Sequence, residues 1–148
     1  MSTSSGTTRE AWIRRLLFLI GVWNILGGVG ALADPGGHIA RMHQGTLAMS
    51  DPLVAFFYRT TWINVIAWGF GYVVASRLAG ARAPILVAGA LGKSAYAVAC
   101  VTLYLQGRAV TAFLVTGLLD VAFAGFFLYV VWAGVGWPDG TDGGRSAA

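Results

Sequence analysis

Four polar residues, Asn24, Asn64, Lys93 and Asp120, sit deep inside stretches of sequence that are otherwise apolar. An amine and a carboxylate in such surroundings either neutralise one another or mark a site that takes an ion, a proton or a polar ligand. A charge at the centre of a membrane-crossing helix costs about 2.5–3.5 kcal/mol on insertion scales. The run around Asp120 is dense in Phe, Leu and Val, each returning about 0.3–0.6 kcal/mol, and offsets its acid easily. The run around Lys93 has fewer strong hydrophobes and comes out near zero. It should enter a membrane as a hairpin with the run that follows, its amine already partnered.

Counting from the reversal between the two runs supports that partnership. Gly107-Arg108 makes a tight turn; Lys93 lies fourteen positions before Gly107 and Asp120 twelve after Arg108. Two residues of mismatch amount to about 3 Å along a helix axis, within the reach of a lysine. We expect a Lys93–Asp120 ion pair at mid-membrane, with Asn24 and Asn64 at similar depth completing the hydrogen bonding. At helical spacing, Gly21, Asn24, Gly28 and Ala31 share one face, as do Thr61, Asn64, Trp68, Gly71 and Ala75. Gly89, Lys93, Tyr96 and Cys100 form a third such face, and Thr116, Asp120, Phe123 and Phe127 a fourth. Small residues let membrane helices approach and polar ones join them, so these faces are the natural interior of a bundle. Two readings of the cluster stand side by side. It is structural glue that fixes helix register, or it is a ligand site lined by Asn24, Asn64, Trp68, Lys93, Tyr96 and Asp120.

Other chemistries find less support. Cys100 is the only cysteine and sits in an apolar run, which excludes an intramolecular disulfide, a CxxC redox pair and a cysteine zinc site. His38, Met42, His43 and Met49 are soft-metal ligand types, but adjacent Met42 and His43 cannot share a helix face. No carboxylate or cysteine stands at fixed spacing to complete that set, so a solvated interfacial connection and no metal are expected. Gly69-Phe70-Gly71 lacks the strand-turn-helix setting of a phosphate loop. No catalytic constellation is visible and no cofactor is implied.

The elements that must position the cluster follow from composition. Of the 148 residues, 57% are hydrophobic and 11% charged, against about 25% charged in a soluble domain, so the chain cannot cover a water-exposed surface. Its net charge of +4 comes from ten scattered Lys and Arg with no basic run, which argues for membrane anchors and against nucleic acid. We expect an all-α, antiparallel four-helix bundle in one transmembrane domain over 12–133, with spans at about 12–33, 53–76, 84–106 and 109–133. Disordered tails are expected over 1–11 and 134–148. Asp34-Pro35-Gly36-Gly37 reads as a turn cluster, and 38–52 as a loop or short interfacial helix. Pro84 suits a first helical turn, Arg59 a snorkelling anchor, and Trp132 and Trp137 an interfacial exit.

Short motifs carry a resemblance. Asn24-x-Leu26-x-Gly28, Gly69-Phe70-Gly71-Tyr72, Gly89-Ala90-Leu91-Gly92-Lys93, and Asp120 followed by Phe126-Phe127 are similar to those of uncharacterised bacterial four-helix membrane proteins. That group is itself reminiscent of the DoxX-like proteins. The resemblance covers about residues 16–133 and implies a compact bundle in the bacterial inner membrane. It transfers no catalytic residue, and the lack of paired cysteines puts thiol-dependent branches in doubt.

Orientation follows from the positive charges. Arg9, Arg14, Arg15, Arg77, Arg82 and Arg145 fall on one side, Arg41, Arg59 and Arg108 on the other, which places both termini in the cytoplasm. Arg14-Arg15, the apolar run and Ala31-Leu32-Ala33 also resemble a cleavable signal, but the run is longer than the usual 7–15 residues and holds Asn24. Two functions remain open: an accessory subunit that binds a membrane partner or its own copy, or binding of a lipophilic ligand such as a quinone or isoprenoid.

Overall fold

A computed structural model describes residues 4–42 and 49–134. The architecture is all-helical, with no strand among the described residues: α1 (Ser4–Ala33), α2 (Pro35–Met42), α3 (Pro52–Arg77), α4 (Arg82–Leu105) and α5 (Thr111–Trp132), with a 3-10 turn at Ala79–Ala81. Three segments are long and apolar enough to cross a membrane: Thr8–Ala33, Ala79–Leu105 and Thr111–Trp132. Helix α3 matches them in length, at 26 residues, but Arg59, Asn64 and its Trp, Tyr and Thr residues dilute its apolar character.

The ends of the elements have local causes. Helix α1 begins at Ser4, so residues 4–11, expected in a disordered tail, are helical instead. Glu10, at the edge of the expected tail, is held by a buried partner described below, so this part of the segment packs on the bundle. Residues 1–3 and the tail from 135 onward, including Trp137, lie outside the described residues, as does His43. The Asp34-Pro35-Gly36-Gly37 cluster breaks the helix by one residue only. Asp34 Oδ1 accepts from the Gly37 N–H at 2.9 Å and Pro35 occupies the first helical position, so both glycines fall inside α2. Asp51 caps α3, accepting from the N–H groups of Leu53 at 2.8 Å and Val54 at 3.3 Å. Between α4 and α5, Gly107 takes φ +68°. Arg108 N–H returns to Leu103 C=O and Gly107 N–H to Tyr104 C=O, both at 2.9 Å, the bond pattern of a Schellman turn.

Packing divides the molecule into two antiparallel hairpins, α1 with α3 and α4 with α5. The first is closed by glycine. A Cβ on Gly21 would lie 2.7 Å from Gly69 O, and one on Gly69 would lie 2.8 Å from Gly21 O, so the two backbones touch where neither residue has a side chain. The hairpins join at the end bearing the α3–α4 connection. There Ile13, Leu17, Tyr72, Leu86, Phe127 and Val130 build one core from all four long helices.

Two arginines reinforce that end. Arg82, counted from sequence among the positive charges flanking the spans, is buried at 1% relative exposure. Its Nη1 and Nη2 donate to Glu10 Oε2 at 3.1 Å and Oε1 at 2.8 Å, and its Nε donates to Ala75 C=O at 3.0 Å. Arg14 Nε donates to Ser76 C=O at 3.1 Å. Both guanidinium groups therefore satisfy carbonyls at the C-terminal end of α3, which a helix otherwise leaves without partners.

At the opposite end a smaller cluster of Cys100, Ala109 and Phe113 packs with Met42 of α2. Val110 N–H reaches Met42 C=O at 3.4 Å, so α2 bridges from the first hairpin to the second. Outward-facing positions are occupied by large apolar side chains, among them Phe57, Ile63, Phe70, Leu91 and Leu128. In water such continuous exposure is untenable; in lipid it is the expected surface.

Candidate functional site

Between the core at one end and α2 at the other lies a cavity of about 590 Å³. Its walls come from α1, α2, α3, α4 and α5. The size falls within the range of about 300–1,000 Å³ usual for small-molecule sites. All six residues expected to cluster, Asn24, Asn64, Trp68, Lys93, Tyr96 and Asp120, line this one cavity.

The cavity exists because the hairpins pack directly on one another at one end and are bridged only by α2 at the other. Tyr72 marks its floor: its ring packs 4.8 Å from that of Phe127. Gly89 makes room for the ring, since a Cβ there would meet Tyr72 Oη at 2.6 Å. Above this level the α3 residues Asn64 and Trp68 face the opening rather than another helix and are exposed.

Lys93 Nζ donates to Asp120 Oδ1 at 2.7 Å, the contact expected from counting along the two helices. Lys93 is buried and Asp120 half-buried. The ammonium also lies 5.2 Å from the centre of the Phe123 ring and 6.0 Å from that of Tyr72, so aromatic faces supply further electrostatic support. Asn24 is buried at 9% relative exposure. Neither its side-chain amide nor that of Asn64 has a hydrogen-bond partner among the described residues, so the expected asparagine bonds to the ion pair are not made. Both amides are instead offered to the cavity.

The mouth is formed with α2. His38 stands edge-on to Trp62, ring centres 4.7 Å apart, and 5.9 Å from Tyr58. Tyr58 Oη donates to Ala31 C=O at 3.0 Å and ties the end of α1 to α3. Arg41 is exposed and sits 3.6 Å from the Asp34 carboxylate.

The interior face expected for α3 is partly corrected. Tyr72, Ser76 and Gly69 are buried there with Ala75, whereas Thr61, Asn64 and Trp68 line the cavity. The helix packs on α1 along one side and on α4 only near its C-terminus, leaving its third side open. Tyr72 is the site residue that spacing did not place in the candidate set, although it stands one turn from Trp68. The Glu10–Arg82 pair was also missed, because both residues read as polar flanks.

The chain matches no family model, no curated protein and no solved structure.

Proposed function

We propose that this protein is a four-span integral membrane protein that binds a lipophilic small molecule between its two helical hairpins. The observation that carries the reading is the cavity itself: largely aromatic and apolar walls converge on one ion pair and two unpartnered amides. A pair serving only as glue has no need of an open volume beside it. Membrane-dissolved molecules with a polar head, of the quinone or isoprenoid kind, are the size and chemistry such a volume accepts.

Parity supports α3 as the fourth span. The Glu10–Arg82 pair holds the start of α1 beside the start of α4, and the Met42–Val110 bond holds the far end of α1 near the far end of α4. With α1 and α4 both crossing in the same direction, the chain between them must return, and α3 is the element that returns it. At 1.5 Å per residue its 26 residues reach about 39 Å, beyond the ~30 Å hydrocarbon layer. The arginine distribution favours cytoplasmic termini, and the resemblance to DoxX-like bundles favours a bacterial inner membrane.

The test is organic extraction of protein purified in mild detergent, followed by mass spectrometry. A quinone or isoprenoid recovered near one per chain, and lost from an Asn24→Leu Trp68→Ala variant that still folds, is the expected result. Empty wild-type protein that crosslinks stoichiometrically to a membrane partner would instead favour an accessory subunit.

A further inference from the structure

The charges around the cavity say what kind of head group it takes, granted the ligand-binding reading above. Two cations line it, and each already has its own carboxylate: Lys93 has Asp120 at 2.7 Å, and Arg41 has Asp34 at 3.6 Å. An anionic head placed against Lys93 would also lie beside Asp120, with no further cation at that depth among the described residues to offset the repulsion. In a poorly hydrated site that repulsion is strong.

Neutral hydrogen-bonding groups, in contrast, are in surplus. Asn24 is a buried residue whose amide has no partner among the described residues and opens onto the cavity. Asn64 adds a second unpartnered amide on the α3 wall, and Lys93 retains N–H donors beyond the one given to Asp120. Each amide offers a donor and an acceptor, and a ligand that displaces water from them must supply partners for both. Around them stand the rings of Trp68, Tyr72 and Tyr96.

We infer that the cavity selects an uncharged amphiphile whose carbonyl or hydroxyl oxygen meets Lys93, Asn24 and Asn64, and that it rejects the same amphiphile carrying a phosphate. Ring carbonyls and isoprenoid hydroxyls share this chemistry, and the probes below separate them.

The experiment is a titration of the full chain in detergent by native mass spectrometry. The probes are farnesol, 2-decyl-1,4-naphthoquinone, farnesyl phosphate and decyl phosphate. At least one neutral probe should bind about tenfold or more tighter than both phosphates, the scale of one uncompensated charge in a partly dry site. Whichever neutral probe wins identifies the oxygen. A smaller margin, or a preference for phosphate, overturns the charge argument and leaves the cavity reading standing. No binding by any of the four overturns both.

Unbalancing the charges gives an independent check. Asp120→Asn leaves Lys93 without its counter-charge and should move the farnesol-to-farnesyl phosphate ratio about tenfold toward phosphate. Asp34→Asn does the same for exposed Arg41, with a smaller shift of about threefold because water screens it. Asn caps α2 as well as Asp does, so this second variant keeps its fold. A ratio unmoved in the folded variants overturns the inference.

Discussion

Glu10 and Arg82 are 72 positions apart in sequence, yet two of their bonds, 2.8 and 3.1 Å long, close the end of the molecule where all four long helices meet. The arginine is buried and the glutamate partly exposed. Removing the carboxylate strands a buried charge, which costs roughly 3–5 kcal/mol in fully buried soluble cases and less here because water reaches Glu10. We predict that Glu10→Gln lowers the apparent Tm of detergent-purified protein, with unfolding read by dye labelling of the buried Cys100 thiol. Arg82→Lys should be nearly as damaging, since an ammonium cannot make the paired, planar contact. A Tm unchanged in both variants would mean that this clasp does not hold the helices together.

The Lys93–Asp120 pair predicts a different pattern. Lys93→Met or Asp120→Leu alone leaves one buried charge and should reduce folded yield several-fold. The two changes together place two apolar side chains in an apolar setting and should recover much of the loss. Recovered yield without bound ligand would mark the pair as a binding device. A double variant as poor as the sum of the singles would mean the two residues are not coupled.

Glycine substitutions should separate by place. Gly21→Val drives a side chain into Gly69 O and the Val73 side chain, and should cost about 1–3 kcal/mol as overpacking. Gly125→Ala meets nothing within 4 Å and should be neutral or stabilising by up to about 1 kcal/mol, as expected for a helix interior. Thermal unfolding of the two variants side by side checks both; equal effects would deny the close contact of α1 with α3.

Topology is open to a direct assay. A cytoplasmic reporter fused after Ala148 should be active and a periplasmic one silent. Cysteine introduced at Arg108 should label from outside intact cells, while cysteine at Gly80 should not. Labelling of both positions from the same side would exclude a crossing α4.

Much of the site was legible because one tight turn fixes depth. From Gly107, counting along two helices places Lys93 and Asp120 at one level without any knowledge of packing. Asn24 and Asn64 were found by depth alone, which gives no azimuth, so their hydrogen bonds to the pair were expected and are absent. Thr61, Asn64 and Trp68 share a face that spacing alone reads equally as packed interior or as ligand lining, because the sequence does not say which side of a helix lacks a neighbour. Glu10 and Arg82 escaped for another reason. They belong to different hairpins, no short turn relates their positions, and a charged residue beside an apolar run has the composition of an anchor whether or not it is buried.

The Schellman turn at Gly107 sets more than depth. An α-helix advances about 100° per residue, so the interval from the turn to Asp120 is also an angular phase. One residue added or removed between Thr111 and Asp120 would swing the carboxylate about 100° around α5 while moving it only ~1.5 Å along the axis. The ion pair would then be lost by rotation rather than by distance, and Asp120 would turn away from the cavity. A whole added turn would restore the angle but carry Asp120 about 5.4 Å along the axis, so the pair survives a change of length only if α4 gains or loses the same turn.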